Sequence, residues 1–264
     1  MNCRARLPWS AMRHISGQTT GHIATQYLEN HWSLRHDRPV MNATRSEDSP
    51  KTYSESQVRI LLAAEKMFAQ NGIDGASLRE IAKLADQRNP FAPQYHFGSR
   101  EGLMRAVFAF RMGQLEASRA RMLAEAEAEG REHEPRIILE MIYLPQVELV
   151  DGDGNHSYAN FLCQYLLRER ATWFGDFGTP LPPTLVRILD LLRGCMTHLS
   201  DAAAQRRLVS SSLVFLHFLS VYGGKRDEED GGETFEERLW DTLGQIEMAT
   251  LMPLSGPQRE GVLE

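Results

Sequence analysis

One stretch, from Arg59 to Arg105, limits the fold of this 264-residue chain more than any other. Its first apolar residues, Ile60, Ala64, Met67 and Phe68, recur at helical spacing. Gly72 follows as a helix stop, because a residue tolerant of left-handed backbone suits a C-terminus. Ser77-Leu78-Arg79-Glu80 reads as a capping box, opening a short second helix with Leu78, Ile81, Ala82 and Ala85 on one face. Asp86 to Asn89 reads as a polar turn, with Asn89 and Pro90 as the cap and first residue of a third helix. Pro93 would then lack the N–H that bonds the cap carbonyl, which weakens that helix's first turn. Two short helices across a tight turn, behind an orienting first helix, make a helix-turn-helix.

These residues resemble the tetracycline-repressor-like (TetR) family of bacterial transcription regulators. The resemblance rests on Arg59-Ile60-Leu61, Ala63-Ala64, Phe68-Ala69, Gly72, Ser77, Ile81-Ala82 and Ala85. Its most specific part is Tyr95-His96-Phe97-Gly98-Ser99-Arg100-Glu101 with Leu103. The turn Gln87-Arg88-Asn89 is similar to a subgroup whose turn is about one residue longer than the common one. Three departures stand out: Pro90 and Pro93 at the start of the recognition helix, and Asp86 where the family usually has glycine. Phe91 also falls among residues that would face the groove.

The whole chain carries a net charge of −6, which at first argues against a polyanion as partner. The distribution reverses that argument. Residues 51–111 hold 9 Lys and Arg against 6 Asp and Glu, whereas residues 112–264 hold 14 against 25. A basic head on an acidic body keeps phosphate attraction local. Three widely spaced cysteines (Cys3, Cys163 and Cys195) form no metal or redox motif, so neither a metal nor a cofactor is expected, and a cytoplasmic setting fits.

Residues 1–50 lack a sustained period and read as a disordered extension. A DNA-contacting basic arm and a true start at Met41 are the alternatives. Residues 51–100 form the expected DNA-binding domain, and 101–264 a larger helical domain for effector binding and dimerisation. The fold class is therefore all-α. Ser99 caps a long helix to about Glu129, the natural lever between head and body. Helices are then expected over 135–150, 157–174, 184–199, 202–222 and 234–251. Asp151-Gly152-Asp153-Gly154-Asn155 partly matches a calcium loop, but the glycine and glutamate that should follow are missing, so it reads as a polar loop.

The expected DNA contacts are Lys51, Arg59, Ser77, Arg79, Arg88, Asn89, Gln94, Tyr95, His96 and Arg100. Arg88 and Gln94 have the chemistry to read guanine and adenine, while Tyr95, His96 and Arg100 suit backbone phosphates. A packing role explains His96 equally well, and a solvated face nearly as well explains Lys51 and Arg59. The helix over 202–222 is apolar nearly all round and demands burial beyond its own body. With the last helix it suggests a homodimer built on Leu208, Phe215, Leu219, Tyr222, Leu239, Leu243 and Ile246, two heads of which would read a palindrome. Met141, Tyr165, Trp173, Phe174, Met196 and His198 are the expected ligand-pocket residues, with core packing as their other reading. The resemblance implies a repressor released from double-stranded DNA by a small-molecule effector. No catalytic signature supports an enzyme. A dimeric adaptor that has lost DNA binding is the alternative, supported by Pro93 and Phe91.

Overall fold

Ser54 opens the first helix by accepting the Gln57 N–H, while the Gln57 side chain accepts the Ser54 N–H in return. The computed structural model describes residues 53–169, 178–225 and 232–253. Nine α-helices lie among them: α1 Glu55–Gly75, α2 Leu78–Leu84, α3 Ala92–Phe97, α4 Arg100–Ala128, α5 Pro135–Tyr143, α6 Ser157–Arg168, α7 Pro183–Cys195, α8 Asp201–Tyr222 and α9 Phe235–Leu251. A 3₁₀ turn, Leu144–Glu148, extends α5. The all-α expectation and the amino-terminal helix-turn-helix are both present. Residues 1–50, for which disorder is the first reading, lie outside the described residues, as do Lys51, Trp173 and Phe174.

Within α1, Gly72 takes φ 72° and breaks the helix before a last turn to Gly75, as its identity implies. The start of α2 differs from expectation. Ser77 has cap dihedrals, yet its hydroxyl bonds no helix N–H, so the Ser77–Glu80 capping box does not form. The third helix also begins later than expected. Asn89 Oδ1 accepts the Phe91 N–H at 3.0 Å, closing an Asx-turn, and Phe91 becomes the cap residue. Pro93 then occupies the second helical position, where an N–H has no intrahelical partner. It weakens nothing there.

Ser99 caps α4 by accepting the Gly102 N–H at 3.1 Å. Gly102 is required for a different reason. A Cβ at that position would collide with the Phe97 carbonyl oxygen, so the glycine lets α3 and α4 meet closely.

The head packs on the body chiefly through α1 against α6, and less through α1 against α4. Phe68 of α1 stacks on Phe161 of α6 at 5.4 Å, and Phe108 of α4 stacks on the same ring at 4.8 Å. A second cluster, Tyr143, Phe215, Phe218 and Phe235, joins α5, α8 and α9.

Two expectations for α8 and α9 are corrected. The helix α8 is not buried all round, because Arg206, Ser210, Val214, His217 and Val221 form an exposed stripe. The residues expected at the dimer interface instead face inward. Leu208, Phe215, Leu219, Leu239, Leu243 and Ile246 are buried within the single chain, and Tyr222 is half-buried against Phe218. Their apolarity holds α8 and α9 to their own body.

Candidate nucleic-acid interface

Helices α2 and α3 meet across a turn whose geometry rests on two residues. Asp86 takes φ 52°, a left-handed conformation that a short polar side chain tolerates. Gln87 ties the turn to α1: its Oε1 accepts the Ser56 hydroxyl at 2.8 Å, and its Nε2 donates to the Ala85 carbonyl at 2.9 Å. Arg88, Asn89 and Pro90 are thereby held exposed at the surface.

Four of the expected residues line one open groove of 410 Å³: Ser77, Arg79, Gln94 and Arg100. Pro90 and Phe91 form its other wall. The Arg79 guanidinium lies over the Phe91 ring, 5.6 Å from its centroid. Arg100 is already engaged, donating to the Asp74 carbonyl at 2.7 Å and the Ala76 carbonyl at 2.9 Å. It thus closes the C-terminus of α1. Tyr95 is 82% exposed and stands edge-on to His96, with ring centroids 5.0 Å apart. Both His96 and Gln94 are exposed. Arg59 is exposed and bonds Glu55 one turn back at 2.7 Å, as a solvated face would have it.

Between head and body lies a buried ion pair that the sequence did not disclose. Arg111 on α4 grips Glu65 on α1 with two bonds, Nε to Oε2 at 2.5 Å and Nη2 to Oε1 at 2.6 Å. Its Nη1 donates to Gln114 Oε1 at 2.8 Å. The side chains are only 6% and 2% exposed. Burial pushes the Glu65 carboxyl above its ordinary range, and Arg111 pulls it partly back. Two outer links flank the pair: Arg168 forks onto Asp74 with both bonds at 2.9 Å, and Lys66 reaches Asp153 at 2.5 Å. The Asp151–Asn155 loop is organised by Asp151, which accepts the N–H groups of Asp153 and Asn155 and the Ser157 hydroxyl. Partial burial raises the Asp151 carboxyl, but those donors outweigh it and hold the group low.

A narrow, partly open cavity of 30 Å³ lies between α4, α5, α6, α7 and α8, room for about one or two waters. Apolar Met112, Leu115 and Leu216 share its wall with Arg119, Tyr143, Gln146, Tyr158 and Ser212. Burial pushes both tyrosine hydroxyls well up from the ordinary phenol range. The four described residues among those expected to hold a ligand do not line this cavity. Met141, Tyr165 and Met196 are core, His198 is exposed, and Trp173 and Phe174 fall outside the described residues. Two residues of this cavity's wall carry a signal in the sequence: Arg119 continues the apolar face of Met112 and Leu115, and Gln146 interrupts the apolar run from Ile137 to Val147.

Residues 60–107 match the family model of the bacterial regulatory proteins of the tetR family. The match places residues 60–107, from within α1 into α4, with the bacterial regulatory proteins of the tetR family. TetR proteins are DNA-binding transcriptional regulators and not enzymes. Three solved structures are similar to the chain. A TetR-family transcriptional regulator from Rhodococcus sp. aligns at 20% identity and a TM-score of 0.42, over 75% of this chain and all of that one. A structure solved as the molecular basis for control of antibiotic production by a bacterial hormone aligns at 22% identity and 0.42, over 75% and 98%. A TetR-family regulator from Pectobacterium atrosepticum aligns at 19% and 0.36, over 74% and 91%. No curated protein matches the chain. Among the described residues, no helix is long and apolar enough to cross a membrane.

Proposed function

We propose that this TetR-family chain is a homodimeric repressor that releases a palindromic operator when a small molecule enters the body. The observation that carries the DNA-binding half is the surface formed by Arg88, Asn89, Gln94 and Tyr95, polar groups held in solvent on a rigid helix-turn-helix. Arg88 and Gln94 are the base-reading groups, and Ser77, Arg79, Tyr95 and His96 the phosphate contacts. The domain division is that of a head, residues 51–100, on an effector and dimerisation body, residues 101–264.

The support for release is the position of the cavity. Arg119 and Met112 project into it from α4, the same helix that carries Arg111 to the buried Glu65. A molecule that prefers a widened cavity shifts α4, and the bidentate pair passes the shift to α1. A differential affinity of about 1–3 kcal/mol between the two arrangements suffices. For the second copy, the exposed residues Val214, Val221, Met248 and Met252 on or beside α8 and α9 offer the apolar face that the inward leucines do not. Two heads so joined would reach half-sites about 34–36 Å apart.

The test is selection of sheared genomic DNA by the full-length protein at about 150 mM salt, followed by sequencing of the retained fragments. Enrichment of one palindrome is expected. Random recovery would sink the repressor reading and favour a helical adaptor. That alternative has lost one support, since Pro93 at the second helical position leaves α3 intact.

A further inference from the structure

We propose that Phe91 is a specificity-determining residue that reads a thymine in the operator through its C5-methyl group, with Arg79 braced on the other side of the ring. The inference rests on the DNA-binding reading above. Phe91 is 54% exposed, an unusual place for a large apolar ring in a surface otherwise made of Arg88, Asn89, Gln94 and Tyr95. It is not a stray side chain. The Asn89 Asx-turn fixes its backbone as the α3 cap, and the Arg79 guanidinium at 5.6 Å packs over its face. One side of the ring is thus covered and the other is offered outward, next to Gln94 across the groove.

In the major groove, thymine alone presents a methyl group, and an aromatic ring is one of the side chains that matches it. Cytosine at the same place has no methyl and offers the ring only its C5–H. Phe91 therefore favours thymine by contact with the methyl. Arg79, held flat by the ring, keeps its N–H edge available for a backbone phosphate.

The experiment uses full-length protein and the palindrome recovered by genomic selection. Each thymine is replaced in turn by deoxyuridine, which removes the methyl and keeps every hydrogen-bonding group. For the unaltered protein, binding should weaken about fourfold at one thymine per half-site. Phe91→Ala should lose that penalty while keeping its response to changes at other positions; Phe91→Leu, which retains apolar bulk, should keep most of it. Tolerance of deoxyuridine at every position, or an undiminished penalty in Phe91→Ala, would overturn the inference and leave the DNA-binding reading standing. Failure to recover any palindrome would overturn both.

Discussion

The head and the body use the same residue types in opposite ways. On α3 and the turn before it, Arg88, Asn89, Gln94 and Tyr95 are exposed; in the body, Arg119, Gln146, Tyr143 and Tyr158 are enclosed. An exposed polar group keeps its hydration until a polyanion arrives, so it can attract from a distance and pair late. A buried one has already given up water and tolerates few partners, so small changes around it carry large free energies. The contrast teaches where a signal can pass. The route proposed above runs through Glu65 and Arg111, where a head residue meets a body residue under the body's conditions of burial. The parallel Asp74–Arg168 link is exposed and contributes only about 0–1 kcal/mol.

The sharpest break of this comparison is a charge placed on each side of α8. Leu219→Asp puts a carboxylate into a site that is 1% exposed and should unfold the chain, a loss on the order of 4 kcal/mol or more in denaturant melts. Val214→Asp, on the exposed stripe of the same helix, should stay folded and sediment as a monomer. A folded, dimeric Val214→Asp would remove the proposed interface.

Next in size is Arg111→Met, which strands the Glu65 carboxylate and should cost about 3–5 kcal/mol. Adding Glu65→Met should recover most of that loss, because a buried pair can be replaced by apolar residues at little net expense. The pH dependence of the single variant has a definite sign. Without Arg111 the folded-state pKa of Glu65 rises further above the unfolded value of 4.5. The folded state then holds its proton to higher pH than the unfolded state, so stability is greatest at low pH and lost as pH rises through the raised value. Chemical denaturation at about pH 5 and pH 8 checks this; equal losses at both would place the damage in packing and not in the stranded charge.

Gly102→Ala tests the joint between α3 and α4. In an open helix alanine stabilises by about 1 kcal/mol, but here the added Cβ meets the Phe97 carbonyl oxygen. The sign should reverse, to a loss of about 1–3 kcal/mol by thermal unfolding. This glycine illustrates what sequence reading reaches. Periodicity, the Ser99 cap and the Gly72 break were legible because each depends on neighbours within four residues. The late start of α3 was not, because Asn89 has two local uses and the Asx-turn won over the helix cap. Leucines on α8 declare that they are buried without declaring by what, so the inward set was mistaken for an interface. Arg119 and Gln146 stood out as polar residues in apolar runs, but only the assembled helices bring them to one cavity.

The smallest effect expected comes from Asp86, where this chain departs from the glycine usual in the family it resembles. At φ 52° an L-residue crowds its own carbonyl, at about 1–2 kcal/mol for an ordinary side chain and less for aspartate. Glycine would relieve that strain but would also lose more freedom on folding, which offsets part of the gain. Asp86→Gly should therefore raise stability by at most about 1 kcal/mol, while Asp86→Val, branched at Cβ, should lower it by about 1–2 kcal/mol. A stabilising Asp86→Val would mean the turn is not left-handed in solution. Operator affinity gives the second readout, because Arg88 and Asn89 follow directly. If Asp86→Gly stabilises the fold yet weakens DNA binding, then the aspartate is kept for holding the reading turn still, at some expense in stability.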